Sequence, residues 1–138
     1  MNLGCDIMWV KKQPSYGDQI RVNRGLYFHH GIYVSNDEVI QYASPKGSEI
    51  SPETALIIKT SLDTFLNGGI VEVREYNSSE LKEVRSKDEI VKFAESKLGT
   101  GLGEYNLIDN NCEHFSNYCA FGKKVSNQVD DILKMLFG

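Results

Sequence analysis

The stretch GLYFHHGIYV, residues 25–34, constrains the fold of this chain more than any other. Aromatic and β-branched residues crowd it, and such side chains suit a pleated, half-buried surface. Ser35, Asn36, Asp37 and Glu38 follow with turn chemistry, and VIQYAS then resumes the same character. The two runs read as a β-hairpin. A three-residue loop, Ser35 to Asp37, pairs Val34 with Glu38 and sets Gly31 opposite Gln41. His29 then shares a face with Gln41, on a diagonal that long side chains bridge. A two-residue loop would put them on opposite faces.

Around the hairpin the order is strands first, then helices. A turn at Gly17 and Asp18 precedes the strand QIRV, PKGS breaks the pattern after the hairpin, and ALIIKTS reads as a further strand. Ser61 caps a helical turn, LDTFL, that ends at Asn67, Gly68 and Gly69. IVEVREY alternates as another strand. The period then changes. Ser86 followed by Glu89 matches a capping box. Ile90, Val91, Phe93, Ala94 and Leu98 recur at helical spacing until Gly99. After the loop TGLGEYNLID, Asn110 followed by Glu113 signals a second helix start, running to near Gly122. SNQVDDILKMLFG places Ile132, Leu133, Leu136 and Phe137 on one side of a short amphipathic helix. The fold class is one α+β domain, residues 1–138, with an antiparallel sheet and packed helices.

Composition narrows the function classes. The 138 residues are 41% hydrophobic and 25% charged, ordinary for a globular domain with a real core. A formal net charge of −4 argues against nucleic-acid partners. Cys5, Cys112 and Cys119 form no CxxC pair, which fits neither a disulfide framework nor a zinc site and suits a reducing compartment, the cytoplasm. No signal peptide is expected, and no stretch approaches the roughly 20 apolar residues of a membrane span. Neither a cofactor nor a metal is expected, and oligomeric state is not legible.

The chemistry concentrates at DNNCEHF, residues 109–115. With Asn110 as N-cap, Cys112 is the second helical residue, where unpaired N–H groups and the helix dipole favour an anion and lower a thiol's pKa. The competing reading is a buried, inert cysteine. A nucleophile needs a base. His114 is two residues on and should face away as a structural histidine. His29 or His30 remains, and only one can face the thiol because adjacent strand residues point oppositely. The hairpin register selects His29, with Gln41 as an orienting amide, so that thiol, imidazole and amide form a triad. Gln41 could equally be an ordinary polar strand residue. Cys119, seven residues after Cys112, reads as a core packer, and Cys5 carries no assignment. Trp9, Lys11 and Lys12 read as a solvated end, with contact to an anionic surface the alternative.

HHGIYV, VIQYA, EIVKFAESKLG and NCEHFSNYCAFGKKVSNQV together resemble the lecithin:retinol acyltransferase family, and within it the H-Ras-like suppressor phospholipase/acyltransferases. The likeness runs from about Gly17 to Val129, and NCEHF is its specific part. It implies a circularly permuted papain-like fold related to NlpC-type cysteine peptidases, with histidine strands before the cysteine helix. It implies Cys112 as nucleophile and His29 as catalytic histidine, with His30 in the place of the family's Trp. Gln41 stands where the family usually has a second His. A Gln carbonyl can hold one imidazole tautomer but cannot titrate. Many vertebrate members carry a membrane-spanning tail. The present chain is expected to touch a membrane surface only transiently, with residues 129–137 as a weak interfacial candidate.

The expected mechanism is covalent. His29 takes the Cys112 proton, the thiolate attacks an acyl carbonyl, and the Cys112 N–H donates to the oxyanion. The resemblance implies a glycerophospholipid donor and phospholipase A1/A2 or acyltransferase activity. The residues alone show only acyl transfer through a thiol. A peptidase or amidase of the NlpC type and a non-enzymatic interaction module are the alternatives.

Overall fold

The computed structural model describes residues 7–46, 50–108 and 110–122, together with 134, 136 and 137. Six strands are described: β1 (Met8–Val10), β2 (Gln19–Asn23), β3 (Phe28–Ser35), β4 (Glu38–Ala43), β5 (Leu56–Thr60) and β6 (Val71–Glu75). They form one antiparallel sheet in the order β1-β6-β2-β3-β4-β5. The helices described with it include α1 (Leu62–Leu66), α2 (Ser78–Leu81), α3 (Lys87–Ser96) and α4 (Cys112–Phe121). The architecture is α+β and consistent with a papain-like fold.

The central hairpin has the expected register but not the expected turn. Gly31 lies opposite Gln41, Ile32 opposite Ile40 and Tyr33 opposite Val39. The register then slips, and Ser35 opposes Glu38. The turn is therefore Asn36-Asp37, with a bulge at Val34. A bulge adds one residue to one strand. It restores the parity that the shorter loop would have reversed.

Alternation along the strands divides the interior between two faces. Ile20, Val22, Tyr33, Val39 and Val73 pack with Leu62 and Phe65 of α1. Ile32, Ile40 and Tyr42 pack with Ile90, Val91 and Ala94 of α3 and with Phe115, Cys119 and Ala120 of α4. Phe65 is fully buried, a transfer contributing roughly 2 to 3 kcal/mol. Its ring comes so close to β3 that a Cβ at Gly31 would lie 2.8 Å from it. Gly31 is thus what lets α1 sit on the hairpin.

The helix ends follow local chemistry. Ser61 caps α1 through its side chain, and Asn67 closes it in the left-handed region. Ser86 and Glu89 form the expected reciprocal box on α3. In α4 the cap is Asn111, not Asn110, so Cys112 is the first helical residue. Asn111 accepts from the N–H groups of Glu113 and His114, and His114 Nδ1 accepts from Asn111 N–H at 3.2 Å. Asn110 instead donates to the Glu104 carbonyl and bridges Asn106. His114 is structural, as expected.

The sequence reading omitted β1 and α2. β1 pairs with β6 and carries Trp9 onto His30. This corrects the reading of Trp9 as part of a solvated end, although Lys11 and Lys12 are exposed. Cys119 is fully buried in the core, with its thiol pushed up to about 12 by burial. Cys5 and most of the C-terminal amphipathic segment lie outside the described residues. Among the described residues no helix is long and apolar enough to cross a membrane.

Candidate active site

β3 carries His29 and His30 side by side, and alternation sends them to opposite faces. His29 faces α1. Its ring stacks on Phe65 with centroids 5.0 Å apart and an interplanar angle of 29°. Its Nε2 is 2.5 Å from Gln41 Oε1, and Gln41 Nε2 donates to Thr60 Oγ1 at 2.7 Å. Both side chains are buried. His29 Nδ1 is also buried and has no hydrogen-bond partner. Burial lowers the imidazole pKa to about 4, against the opposing effect of the Gln41 bond and with some help from the Arg24 charge. His29 is therefore neutral at pH 7. With Nε2 facing a carbonyl oxygen, the ring proton belongs on Nε2 and the lone pair on Nδ1.

His30 faces α4 within a buried polar layer. It meets Trp9 edge-on, with centroids 5.5 Å apart, and its Nε2 is 3.9 Å from Glu113 Oε2. Burial, followed by the neighbouring His29, Arg21 and Arg74, holds its pKa well below the ordinary value. Farther along this face Gln19 donates to Ser116 and Asn117, and Arg74 donates to Asn117 and Glu80.

Cys112 reaches the same strand from the start of α4. Its Sγ is 3.9 Å from the Phe28 carbonyl oxygen, and the backbone N–H of His30 favours its thiolate form. Phe28 and His30 bracket His29, so the sulfur rests on the backbone that carries the imidazole. This stretch of β3 is paired with β2, but its pairing with β4 begins only at Gly31. The start of α4 docks against this part of β3. The structure thus brings His29 and Gln41 into direct contact and sets Cys112 against β3, the strand that carries His29. Sγ and His29 Nδ1 share no hydrogen bond in this state.

The expectation of a lowered thiol pKa does not hold. Burial pushes the Cys112 thiol up to about 11, outweighing the His30 N–H, the Tyr105 hydroxyl and the N–H of Glu113 in the first helical turn. The helix start does favour the anion, as expected, but desolvation is the larger effect.

Two residues near the site were not legible in the sequence. Thr60 holds the Gln41 amide. Tyr105 is buried beside Cys112, and burial and the Cys112 charge raise the pKa of its phenol. Its buried ring meets Tyr42 edge-on at 4.7 Å, and Tyr42 is anchored through its hydroxyl to the Gly101 carbonyl. Tyr105 and Cys112 border a cleft of about 380 Å³ whose other walls include Leu26, Tyr27, Pro52 and Leu107. Leu26 is fully exposed at its rim, and Leu107 and Ile108 are 69% and 62% exposed. A second cleft, about 260 Å³, includes Phe93, Lys97 and Tyr118 in its lining but not Cys112, and His29 and Gln41 line neither cleft. Among the described residues no cluster of His, Cys, Asp and Glu could hold a metal ion.

Comparison with known proteins places this chain in a family. The family model described as Lecithin retinol acyltransferase matches residues 12–125. Lecithin retinol acyltransferase of Mus musculus is 28% identical over 134 residues, covering 83% of this chain and 57% of that protein. Phospholipase A and acyltransferase 2 of Homo sapiens is 31% identical over 129 residues, covering 87% of this chain and 78% of that protein. Protein LEAD-SENSITIVE 1 of Arabidopsis thaliana is 26% identical over 134 residues, covering 68% and 51%. The chain spans little more than half the length of the lecithin retinol acyltransferases it matches. With its HHGIYV and NCEHF segments inside the matched range, the chain belongs to the lecithin retinol acyltransferase family.

Proposed function

We propose that this protein transfers or hydrolyses acyl groups through a thioester on Cys112, with a glycerophospholipid as acyl donor. The observation that carries the reading is the state of His29. Its Nε2 is engaged by Gln41, while its buried Nδ1 has no partner on the strand segment that Cys112 touches. A buried, unpartnered ring nitrogen costs stability and calls for a reason, and proton transfer at Nδ1 supplies one.

In the resting state the proton is on sulfur and the imidazole is neutral, given pKa values of about 11 and about 4. A free ion pair is therefore costly, and proton transfer accompanies attack on the ester carbonyl. His29 Nδ1 takes the thiol proton as the sulfur–carbon bond forms. The negative charge passes to the carbonyl oxygen, which the Cys112 N–H is positioned to receive at the helix start. Collapse of the adduct breaks the ester bond, and His29 returns its proton to the departing lysophospholipid oxygen. Water, or an alcohol or amine acceptor, then attacks the thioester with His29 again as base, and the thiol is regenerated.

The cleft supports a lipid over a peptide. Leu26, Tyr27, Pro52 and Leu107 suit a hydrocarbon chain, and the exposed apolar rim suits transient contact with a lipid surface. Two relatives carry acyltransferase in their names, one of them with phospholipase A. Intact mass after incubation with phosphatidylcholine vesicles tests the reading. A gain of one acyl chain is expected, absent in Cys112→Ala. An unmodified wild-type protein that stays folded and releases no fatty acid would sink it, and a peptidoglycan-peptide substrate would then distinguish the amidase alternative.

A further inference from the structure

The hydrogen bonds that end at His29 have a direction, and that direction originates on β5. The Ser61 carbonyl can only accept. Thr60 Oγ1 lies 3.1 Å from it and donates. A hydroxyl has one proton, so with that proton used its oxygen is left to accept. The Gln41 amide nitrogen, a donor only, is 2.7 Å away. The amide is thereby turned with Oε1 toward His29 Nε2. A carbonyl oxygen there requires a proton on Nε2 and leaves the lone pair on Nδ1.

We propose that Thr60 is a positioning residue that selects the base-competent tautomer of His29 by fixing the orientation of the Gln41 amide. The use made of that tautomer rests on the acyl-transfer reading above, whereas the selection itself does not. An amide has nearly the same shape in its two flipped orientations, so shape alone cannot choose between them. Gln41 is fully buried, with no access for bulk water to compensate a wrong choice. Flipped, it would aim its NH₂ at His29. Nε2 would then have to accept, and the proton would move to Nδ1.

Strand geometry makes the contact specific. Gln41 is opposite Ile58, so Thr60, two residues farther along β5, shares the face of Gln41 on the diagonal. Ser61, next in the chain, caps α1, and α1 lays Phe65 on the His29 ring. The turn Thr60–Ser61 therefore governs both the edge and the face of the imidazole. A second histidine at position 41 would be a different device. A glutamine needs a neighbour to give its amide a direction, and Thr60 supplies it.

The test compares Thr60→Val, which removes the hydroxyl at nearly constant shape, with Thr60→Ser, which keeps it. Nitrogen chemical shifts of ¹⁵N-histidine report the tautomer, with the His29 signals assigned from a His29→Gln spectrum. These spectra are recorded in the Cys112→Ala background, where no chemistry is needed. In parallel, the iodoacetamide rate at Cys112 is measured in the thiol-bearing proteins. Thr60→Ser should keep the Nε2-protonated pattern and the wild-type rate. Thr60→Val should populate the Nδ1-protonated form and slow alkylation by about tenfold, the factor one ordinary hydrogen bond supplies. Thr60→Ala reads the same way if valine disturbs β5. The proposal is overturned if Thr60→Val keeps the wild-type nitrogen pattern, or if Thr60→Ser loses it equally. If Thr60→Val shifts the tautomer but not the alkylation rate, the positioning role stands and His29 is not the base.

Discussion

His29 and His30 are adjacent, similarly buried and neutral at pH 7, yet they occupy different environments. His29 lies among hydrocarbon, stacked on Phe65 and bonded to Gln41, with one ring nitrogen left without a partner. His30 lies in a polar layer beside Glu113, Arg21 and Arg74, with Trp9 across its edge. Burial sets the charge of both. What separates them is whether a nitrogen of defined polarity remains available on the strand that the thiol touches. A depressed histidine pKa therefore does not identify a base. Hydrogen-bond direction is the more discriminating property.

The largest expected effect tests that difference directly. His29→Ala should slow iodoacetamide modification of Cys112 at neutral pH by on the order of 100-fold or more, the range for loss of a positioned base. His30→Ala should leave the rate within a few-fold. Its cost should appear as stability, roughly 1 to 3 kcal/mol for a disturbed buried polar contact. Equal rate losses, or a larger loss from His30→Ala, would reverse the assignment of the two histidines.

Stability against pH should treat the two alike. His29 titrates near about 4 when folded and near 6.5 when unfolded. The unfolded chain therefore binds more protons between those values. Its contribution is fully present above pH 6.5 and is lost as pH falls through the folded value. The linked loss is roughly 3 kcal/mol for His29. His30 adds in the same direction because burial also holds it neutral. Thermal unfolding followed from about pH 7 down to about pH 4 should show a falling midpoint, with a shallower slope in both His29→Gln and His30→Gln. A variant slope equal to wild type would mean that its histidine is charged, or hydrated, in the folded protein.

The His29–Gln41 contact was legible in the sequence through their 12-residue separation and the alternation of strands. The loop length was misread, but the Val34 bulge cancelled the error. A bulge leaves little trace in residue type, since the valine there would suit a regular strand. The start of α4 was off by one residue because two asparagines compete for the cap. Asn111 prevails by satisfying two N–H groups at once, and a histidine, rather than the Glu or Gln of the usual box, closes the motif. The Cys112 thiol's pKa is raised and not lowered, because the helix start is visible in sequence and burial is not. Thr60 and Tyr105 were missed for another reason. Strand pairing brings Thr60 to Gln41, and the loop before α4 returns Tyr105 to Cys112. Neither contact leaves a local pattern.

The smallest expected effect concerns Gln41, and it separates orientation from proton transfer. Gln41→Ala removes the acceptor from His29 Nε2 and leaves a buried donor unsatisfied, at a cost of roughly 1 to 3 kcal/mol in stability. The imidazole keeps its stack on Phe65 but loses the bond that favours a proton on Nε2 over Nδ1. Cys112 alkylation and acyl transfer should slow by about tenfold and not stop, because no proton passes through the amide. Gln41→His restores an orienting partner and adds a second titrating group beside the first. The pH profile should then broaden or shift, with apparent pKa values that belong to the coupled pair. Wild-type rates in Gln41→Ala across the whole pH range would remove Gln41 from the site. They would also show that Phe65 and the strand backbone suffice to orient His29, leaving hydrogen-bond direction no part in distinguishing it from His30.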